Sequence, residues 1–191
     1  MRILVLQYHL RTERLKVIMT TIQSKERTKY HEAMEDFVLR IPKASIVYDI
    51  GKSNTHDYFD VFKDMDFKTI DRDKNKVPDI VLDIEKLNEF NADDYLELAD
   101  AILCNGVVEQ CDNPFKMIEA CYSILKSNGI ILFGMVLTGF PLYDNDRFRF
   151  TAQGAELAIK HTGFTILTKE IVQRDGVDTY VYVVAQKAKR D

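Results

Sequence analysis

Between Thr12 and Leu39 the chain contains neither Gly nor Pro, and its apolar residues recur at intervals of three and four: Leu15, Ile18, Met19 and Ile22, then Met34, Phe37 and Val38. That spacing puts them on one face of a helix. One or two helices are therefore predicted ahead of Pro42, whose ring disfavours helix in the residue before it. Beyond Pro42 the pattern changes to short β-rich apolar runs that stop at a turn or polar residue. Ile46 to Ile50 ends at Gly51 and precedes a helix-like stretch from about His56 to Lys63. Phe67 to Ile70 ends at Asp71, Ile80 to Leu82 at Asp83, and Ala101 to Cys104 at Asn105. Pro114 opens a predicted helix with Phe115, Ile118, Cys121, Tyr122 and Leu125 on one face, and Gly129 separates it from the run IILFGMV. Thr151 is a candidate N-cap for a helix carrying Leu157, Ala158 and Ile159, with Gly163 past its end. The runs Thr165 to Val172 and Thr179 to Ala185 flank Asp175-Gly176 and should pair as an antiparallel hairpin. Strand and helix in alternation, closed by a hairpin, specify a doubly wound, mostly parallel α/β sheet with its ligand site at the carboxyl ends of the strands.

Composition narrows this picture only modestly. A chain of 191 residues holds one such domain and has no room for a second of full size. Apolar residues at 46% and charged residues at 29%, with 8 Gly and 4 Pro, exclude collagen-like and wholly disordered classes. A net charge of −4 gives no general attraction for a nucleic-acid backbone. The opening MRILVLQYHL has too short an apolar core for a signal peptide, and no run is long enough to span a bilayer. Cys104, Cys111 and Cys121 form no disulfide framework, so a reducing, cytoplasmic location is expected. His9, His31, His56 and His161 lack ligand spacing, and no metal is expected. Lys187, Lys189 and Arg190 read as a solubilising tail.

The chemistry concentrates in the turn Asp49-Ile50-Gly51-Lys52-Ser53-Asn54-Thr55. Gly51-Lys52-Ser53 is like the end of a P-loop, but Ile46 stands where the first glycine is needed. A dinucleotide-binding turn would need glycines near Ser53 and Asp57, and Asp49 would repel a pyrophosphate. S-adenosylmethionine suits the turn better, because it carries a sulfonium and an ammonium and no phosphate. Asp49 is then an asset, and Gly51 permits close backbone approach. Asp71 follows 22 residues after Asp49, where a carboxylate can accept from both ribose hydroxyls. Asp83 can accept from an adenine amino group while Ile84 gives the ring an apolar contact. Each acid taken singly also reads as an ordinary turn former; acids ending three successive runs favour the cofactor reading.

On the segments VYDIG, TIDRDKNKVPDIVLDIEKL, ADAILCNGVVEQCDNPFKMIEACYSILKSNGIILFG and DRFRFTAQGAELAIKHTGF, the chain from Ile46 to about Gln186 resembles the class I S-adenosylmethionine-dependent methyltransferases, particularly the small glycosyltransferase-associated kind. The resemblance implies a Rossmann-like, seven-stranded domain over 43–191, preceded by a helical segment over 1–42 that caps the acceptor site or mediates dimerisation. It further implies that Asp49, Gly51 and Ser53 hold the methionyl portion, Asp71 the ribose, and Asp83 and Ile84 the adenine. Arg72 would flank the adenosine, and Asn105 and Gly106 would line the pocket below the sulfonium. The implied activity is methyl transfer to a small polar acceptor, an oxygen of a sugar or related metabolite being the leading class.

Two positions depart from the family pattern. Its glycine-rich turn keeps only Gly51, and a lysine at position 52 beside a cationic cofactor is unhelpful unless it points away. Glu109-Gln110 stands where the family usually has Glu-His, so no imidazole base is available there. The loop Thr138 to Arg149, with Tyr143, Asp144, Asp146, Arg147, Arg149 and nearby phenylalanines, is a candidate acceptor wall; an ordinary charged loop braced by Arg149 is the alternative. His31 is a further acceptor-side candidate. The rival to an enzyme is a non-catalytic relative that binds cofactor weakly or not at all.

Overall fold

The computed structural model describes residues 25–52, 58–89, 96–138 and 145–189. Helix α1, Lys25–Arg40, is the described part of the expected N-terminal helices; Leu15, Ile18, Met19 and Ile22 lie outside the described residues. Met34, Phe37 and Val38 are buried, as their spacing predicts. The remaining elements follow in order: β1 (Ile46–Ile50), α2 (Phe59–Phe62), β2 (Asp66–Asp71), β3 (Ile80–Val81), β4 (Ala99–Asn105), α3 (Pro114–Ile124), β5 (Leu125–Val136), α4 (Ala152–His161), β6 (Phe164–Arg174) and β7 (Val177–Lys187). Caps set the helix starts where the sequence places them. Asn113 Oδ1 accepts from the backbone N–H groups of Phe115 and Lys116, both at 3.1 Å, and Thr151 Oγ1 accepts from Gly154 N at 3.0 Å.

One seven-stranded sheet runs β3-β2-β1-β4-β5-β7-β6, with β7 antiparallel to both β5 and β6. The expected doubly wound sheet with a terminal hairpin is what forms. Asp175 and Gly176 both have positive φ, 51° and 78°, the conformation a two-residue hairpin turn demands. Strand β5 begins earlier than the run IILFGMV suggests. Leu125 pairs with Ala99, the register shifts, and Ile130 resumes pairing opposite Ala101, with Asn128 at φ 64° inside the irregular stretch. A second correction concerns the tail. Lys187 is 1% exposed; its ammonium donates to Leu125 O at 2.6 Å and sits 4.8 Å from the Tyr122 ring centroid. It ties the last strand to the start of β5, and the carbonyl, the ring and the Glu97 carboxylate at 3.4 Å together offset the cost of burying its charge.

Register fixes what meets at the carboxyl edge. Ile50 pairs with Ile70 on one side and Cys104 on the other, so Asp71, Gly51 and Asn105 come level with one another. The same row continues outward, Asp71 opposite Val81 and Asn105 opposite Gly134, and Gly134 opposite Tyr182. Alternation sends side chains to two apolar layers. Val47, Ala101, Leu103, Leu132 and Val184 pack with α1 and Phe62, whereas Ile50, Ile102, Cys104 and Phe133 pack with α3 and α4. Asp49 and Asn105 therefore face the α1 side.

Replacing the cap of α3 tests its contribution. Asn113→Ala leaves two amide donors of the first turn without their acceptor and should cost about 1 kcal/mol of unfolding free energy. A urea titration showing an unchanged midpoint would contradict it.

Candidate functional site

A cavity of about 280 Å³ opens at the carboxyl edge, with Gly51, Asp71, Arg72, Asp83, Ile84 and Gly106 among its lining residues. These are six of the residues singled out from the sequence. Gly51 has φ +82°, and any Cβ there would run into the Val107 side chain, so backbone conformation and close approach both require glycine. Asp71 is buried at the end of β2, its Oδ1 accepting from Asp73 N at 2.8 Å and its Oδ2 from Lys76 Nζ at 2.9 Å. A carboxylate has about four acceptor sites, so roughly half remain for a diol. Buried Ile84 follows Asp83, whose carboxylate is met only loosely by Lys86 at 3.7 Å.

Other candidates are engaged with neighbours. The ammonium of Lys52 donates to Val77 O at 2.6 Å, which directs its charge to the loop after β2. Arg72 donates to Gln110 O at 3.3 Å and pairs with Glu85 at 3.6 Å, joining the loops after β2 and β4. Gln110, at the position where an imidazole was missed, donates to Gly106 O at 2.7 Å and accepts from Asn145 Nδ2 at 3.1 Å. Its amide acts as a strut between the β4 turn and the segment beginning at Asn145.

Asp49 and Asn105 do not line the cavity. Asp49 is 4% exposed on the α1 side, where burial first and the Asp71 charge second push its carboxyl up to about 7. Asn105 Oδ1 accepts from the Tyr180 hydroxyl at 2.8 Å. Asp146, expected on an acceptor wall, is instead buried in a bidentate ion pair with Arg149 at 2.5 and 2.6 Å. The charged alternative for this loop holds at that pair, because a carboxylate and a guanidinium enclosed together satisfy each other's charge. His31 packs against the Tyr30 ring, centroids 5.9 Å apart, away from the cavity. Ser53 and Tyr143 lie outside the described residues. Among the described residues no cluster of three His, Cys, Asp or Glu side chains is arranged to hold a metal ion.

The sequence analysis missed Lys76 as the partner of Asp71, and the burial of Glu109. Glu109 is 3% exposed; its Oε1 accepts from Val136 N at 3.1 Å, and its Oε2 has no hydrogen-bond partner among the described residues. Its backbone carbonyl accepts from Arg147 N at 2.8 Å and Phe148 N at 3.0 Å. Glu109 thus clamps the turn after β4 to the end of β5 and to the segment that follows. Only the fold shows this, since a Glu in a polar turn ordinarily faces solvent.

Residues 56–133 match the family model described as methyltransferase domain. The architecture agrees with solved structures at low sequence identity. A 1,6-didemethyltoxoflavin-N1-methyltransferase from Burkholderia thailandensis, with bound 1,6-didemethyltoxoflavin and S-adenosylhomocysteine, aligns with TM-score 0.64 and 14% identity, over 84% of this chain and 79% of that one. An S-adenosylmethionine-dependent methyltransferase from Archaeoglobus fulgidus aligns with TM-score 0.64 and 14% identity, over 86% and 95%. The fold is that of the class I S-adenosylmethionine-dependent methyltransferases. The [4+2]-cyclase SpnF shares the fold, with TM-score 0.61 and 14% identity over 84% of this chain and 82% of that one. No curated protein matches the chain in sequence.

The residues present at this edge fit S-adenosylmethionine. Gly51 presents bare backbone to the cavity, Asp71 keeps acceptor capacity, and Asp83 beside Ile84 offers one acceptor and one apolar surface. The resemblance read from VYDIG and the later motifs is borne out by the methyltransferase-domain match over 56–133 and by the shared fold; nothing in these matches separates a glycosyltransferase-associated subtype.

The buried acid Glu109 gives a pH test. Burial raises its carboxyl from 4.5 to about 7, so between those values the folded protein holds a proton that the unfolded chain has released. The stability from this group is greatest below the lower value and is lost as pH rises through the upper one. Glu109→Gln keeps the acceptor for Val136 N and removes the titration. Its stability relative to the parent should increase from pH 4.5 to about 7 in paired denaturation curves, and a difference independent of pH would refute the assignment.

Proposed function

We propose that the chain transfers a methyl group from S-adenosylmethionine to a small polar acceptor, with an oxygen of a sugar or related metabolite as the leading class. The observation that carries this reading is the cavity at the carboxyl edge, where Asp71, Asp83, Ile84, Gly51 and Gly106 converge. In this reading Asp71 accepts from the ribose hydroxyls, Asp83 and Ile84 meet the adenine, and Gly51 lets the backbone approach the methionyl part. Asp49, a carboxyl on the verge of ionising, responds to a nearby ammonium by giving up its proton. The cofactor supplies a carbon already activated by its sulfonium, so the protein's task is alignment and exclusion of water. That lessens the need for an imidazole at position 110, most of all for acceptors that present a lone pair without losing a proton.

The reading also places the protein in the cytoplasm. Three buried free cysteines support a reducing compartment, and no helix among the described residues is long and apolar enough to cross a membrane. For the helical segment, Met34, Phe37 and Val38 of α1 are buried against its own sheet, which leaves that apolar face unavailable for a dimer contact.

A second reading, a methyltransferase-like subunit that binds cofactor weakly, is favoured by one observation: Lys76 occupies part of Asp71. Calorimetric titration separates the two. S-Adenosylhomocysteine should bind and NADH should not, and Asp71→Ala should weaken binding by about one to two orders of magnitude through loss of charge-assisted hydrogen bonds. Lys76→Met, which frees Oδ2 and removes a cation, should strengthen binding of S-adenosylmethionine. Absence of binding at millimolar ligand would establish the non-catalytic reading, and methyl transfer from labelled cofactor to a panel of sugars would test the acceptor class.

A further inference from the structure

The loop joining β2 to β3 is fastened at both ends and strained in the middle. At one end Asp73 N is tied to Asp71 Oδ1. At the other, Asp79 Oδ2 accepts from Thr69 N at 2.8 Å and from the Thr69 hydroxyl at 2.7 Å, while that hydroxyl oxygen accepts from Asp79 N at 3.0 Å. Between these ties Lys74–Lys76 form one 3-10 turn, and Asp73 Oδ1 accepts from Asn75 N at 2.9 Å to cap it. The turn closes on Val77, whose φ of 51° and ψ of 55° are left-handed. Two features of the sequence oppose that conformation. A β-branched side chain crowds the left-handed backbone, and Pro78 pushes the residue before it towards extended backbone. The Val77 side chain is 75% exposed, so core packing does not compensate.

Two lysines hold the strained turn. Lys52 Nζ donates to Val77 O at 2.6 Å, and Lys76 Nζ donates to Asp71 Oδ2 at 2.9 Å. Both ties belong to the ligand edge, because Lys52 follows Gly51 and both Lys76 and Asp71 line the cavity. The backbone strain is thus set against an ion pair lodged on the carboxylate that the adenosyl reading gives to ribose. Strain of this kind persists only while surrounding contacts maintain it. A hydroxyl that takes Oδ2 displaces the ammonium, and the Lys76 side chain, 33% exposed, has solvent to receive it. With that contact gone, the extended backbone that Val77-Pro78 prefers becomes the favoured state, and Val77 O leaves Lys52.

We propose that the turn 73–77 is a strained latch: without ligand it holds Lys76 on Asp71, and a ligand bearing a ribose diol opens it, Val77 relaxing to extended backbone. This rests on the adenosyl reading above. It makes Lys76 an autoinhibitory counter-ion that the ligand displaces, and it gives the left-handed Val77 the part of a spring.

Amide hydrogen exchange of the full chain, with and without saturating S-adenosylhomocysteine, reads the latch directly. Val77 N donates to Lys74 O at 3.0 Å, a bond that opening breaks, so ligand should speed exchange at Val77 by about tenfold, whereas a ligand docked on a fixed loop slows it. Val77→Gly removes the strain and keeps the latch shut. In calorimetric titration it should weaken S-adenosylhomocysteine binding by about tenfold, and by less than about twofold when Lys76→Met is also present. Exchange at Val77 that is slowed or unchanged by ligand overturns the proposal. So does a Val77→Gly affinity equal to or above that of the parent, or an equal loss in both backgrounds. If Asp71→Ala weakens binding while any of these is seen, the adenosyl reading stands and the latch alone falls. If neither the parent nor Lys76→Met binds the ligand, both fall; binding by Lys76→Met alone upholds the latch.

Discussion

The ligand edge depends on parallel hydrogen bonding of β1 between β2 and β4. Because Ile50 is level with both Ile70 and Cys104, the next residues of all three strands, Gly51, Asp71 and Asn105, come into one row. A slip of one residue in either pairing would turn the displaced strand's buried set over to the other face of the sheet. Asp71 would then leave the cavity, or Asn105 would lose Tyr180. The apolar cost of such a slip is what holds polar groups at fixed separations, although none of them contributes much to the core.

The same edge gathers unfavourable charges, and the fold handles them in different ways. Asp49 and Glu109 are buried with little compensation, and their carboxyls rise to about 7. Asp71 is met by Lys76, and Asp146 by Arg149. Lys187 is met by a backbone carbonyl, a ring and the Glu97 carboxylate.

Loop-to-loop struts give the edge its rigidity. Gln110 links Gly106 to Asn145, Arg72 links the turn after β2 to that after β4, and Glu109 reaches the end of β5. In a solvated turn these would be ordinary polar residues, which is why the pair Glu109-Gln110 reads from sequence chiefly as a lost imidazole. Their bonding turns a departure from the family pattern into a structural element. The same reasoning separates Asp146 from an acceptor role: its charge and its place in a polar loop are legible, but its partner three residues on is chosen by folding.

What the sequence determined by itself is the local chemistry: periods of two and of three to four, Pro114 as a helix start and Thr151 as a cap, Asp175-Gly176 as a hairpin turn, and acids closing three successive runs. These are legible because they depend on neighbours within a few residues. Six of the nine cofactor-side candidates reach one cavity. Tertiary structure alone decided which face of the sheet each polar end occupies, that Lys76 meets Asp71 five residues away, and that Lys187 is buried 62 residues from the carbonyl it serves. It alone brought Tyr180 to Asn105 across a glycine on the intervening strand. Those pairings depend on strand order and register, which are fixed by burial of the whole sheet and carry no signature in the residues that meet.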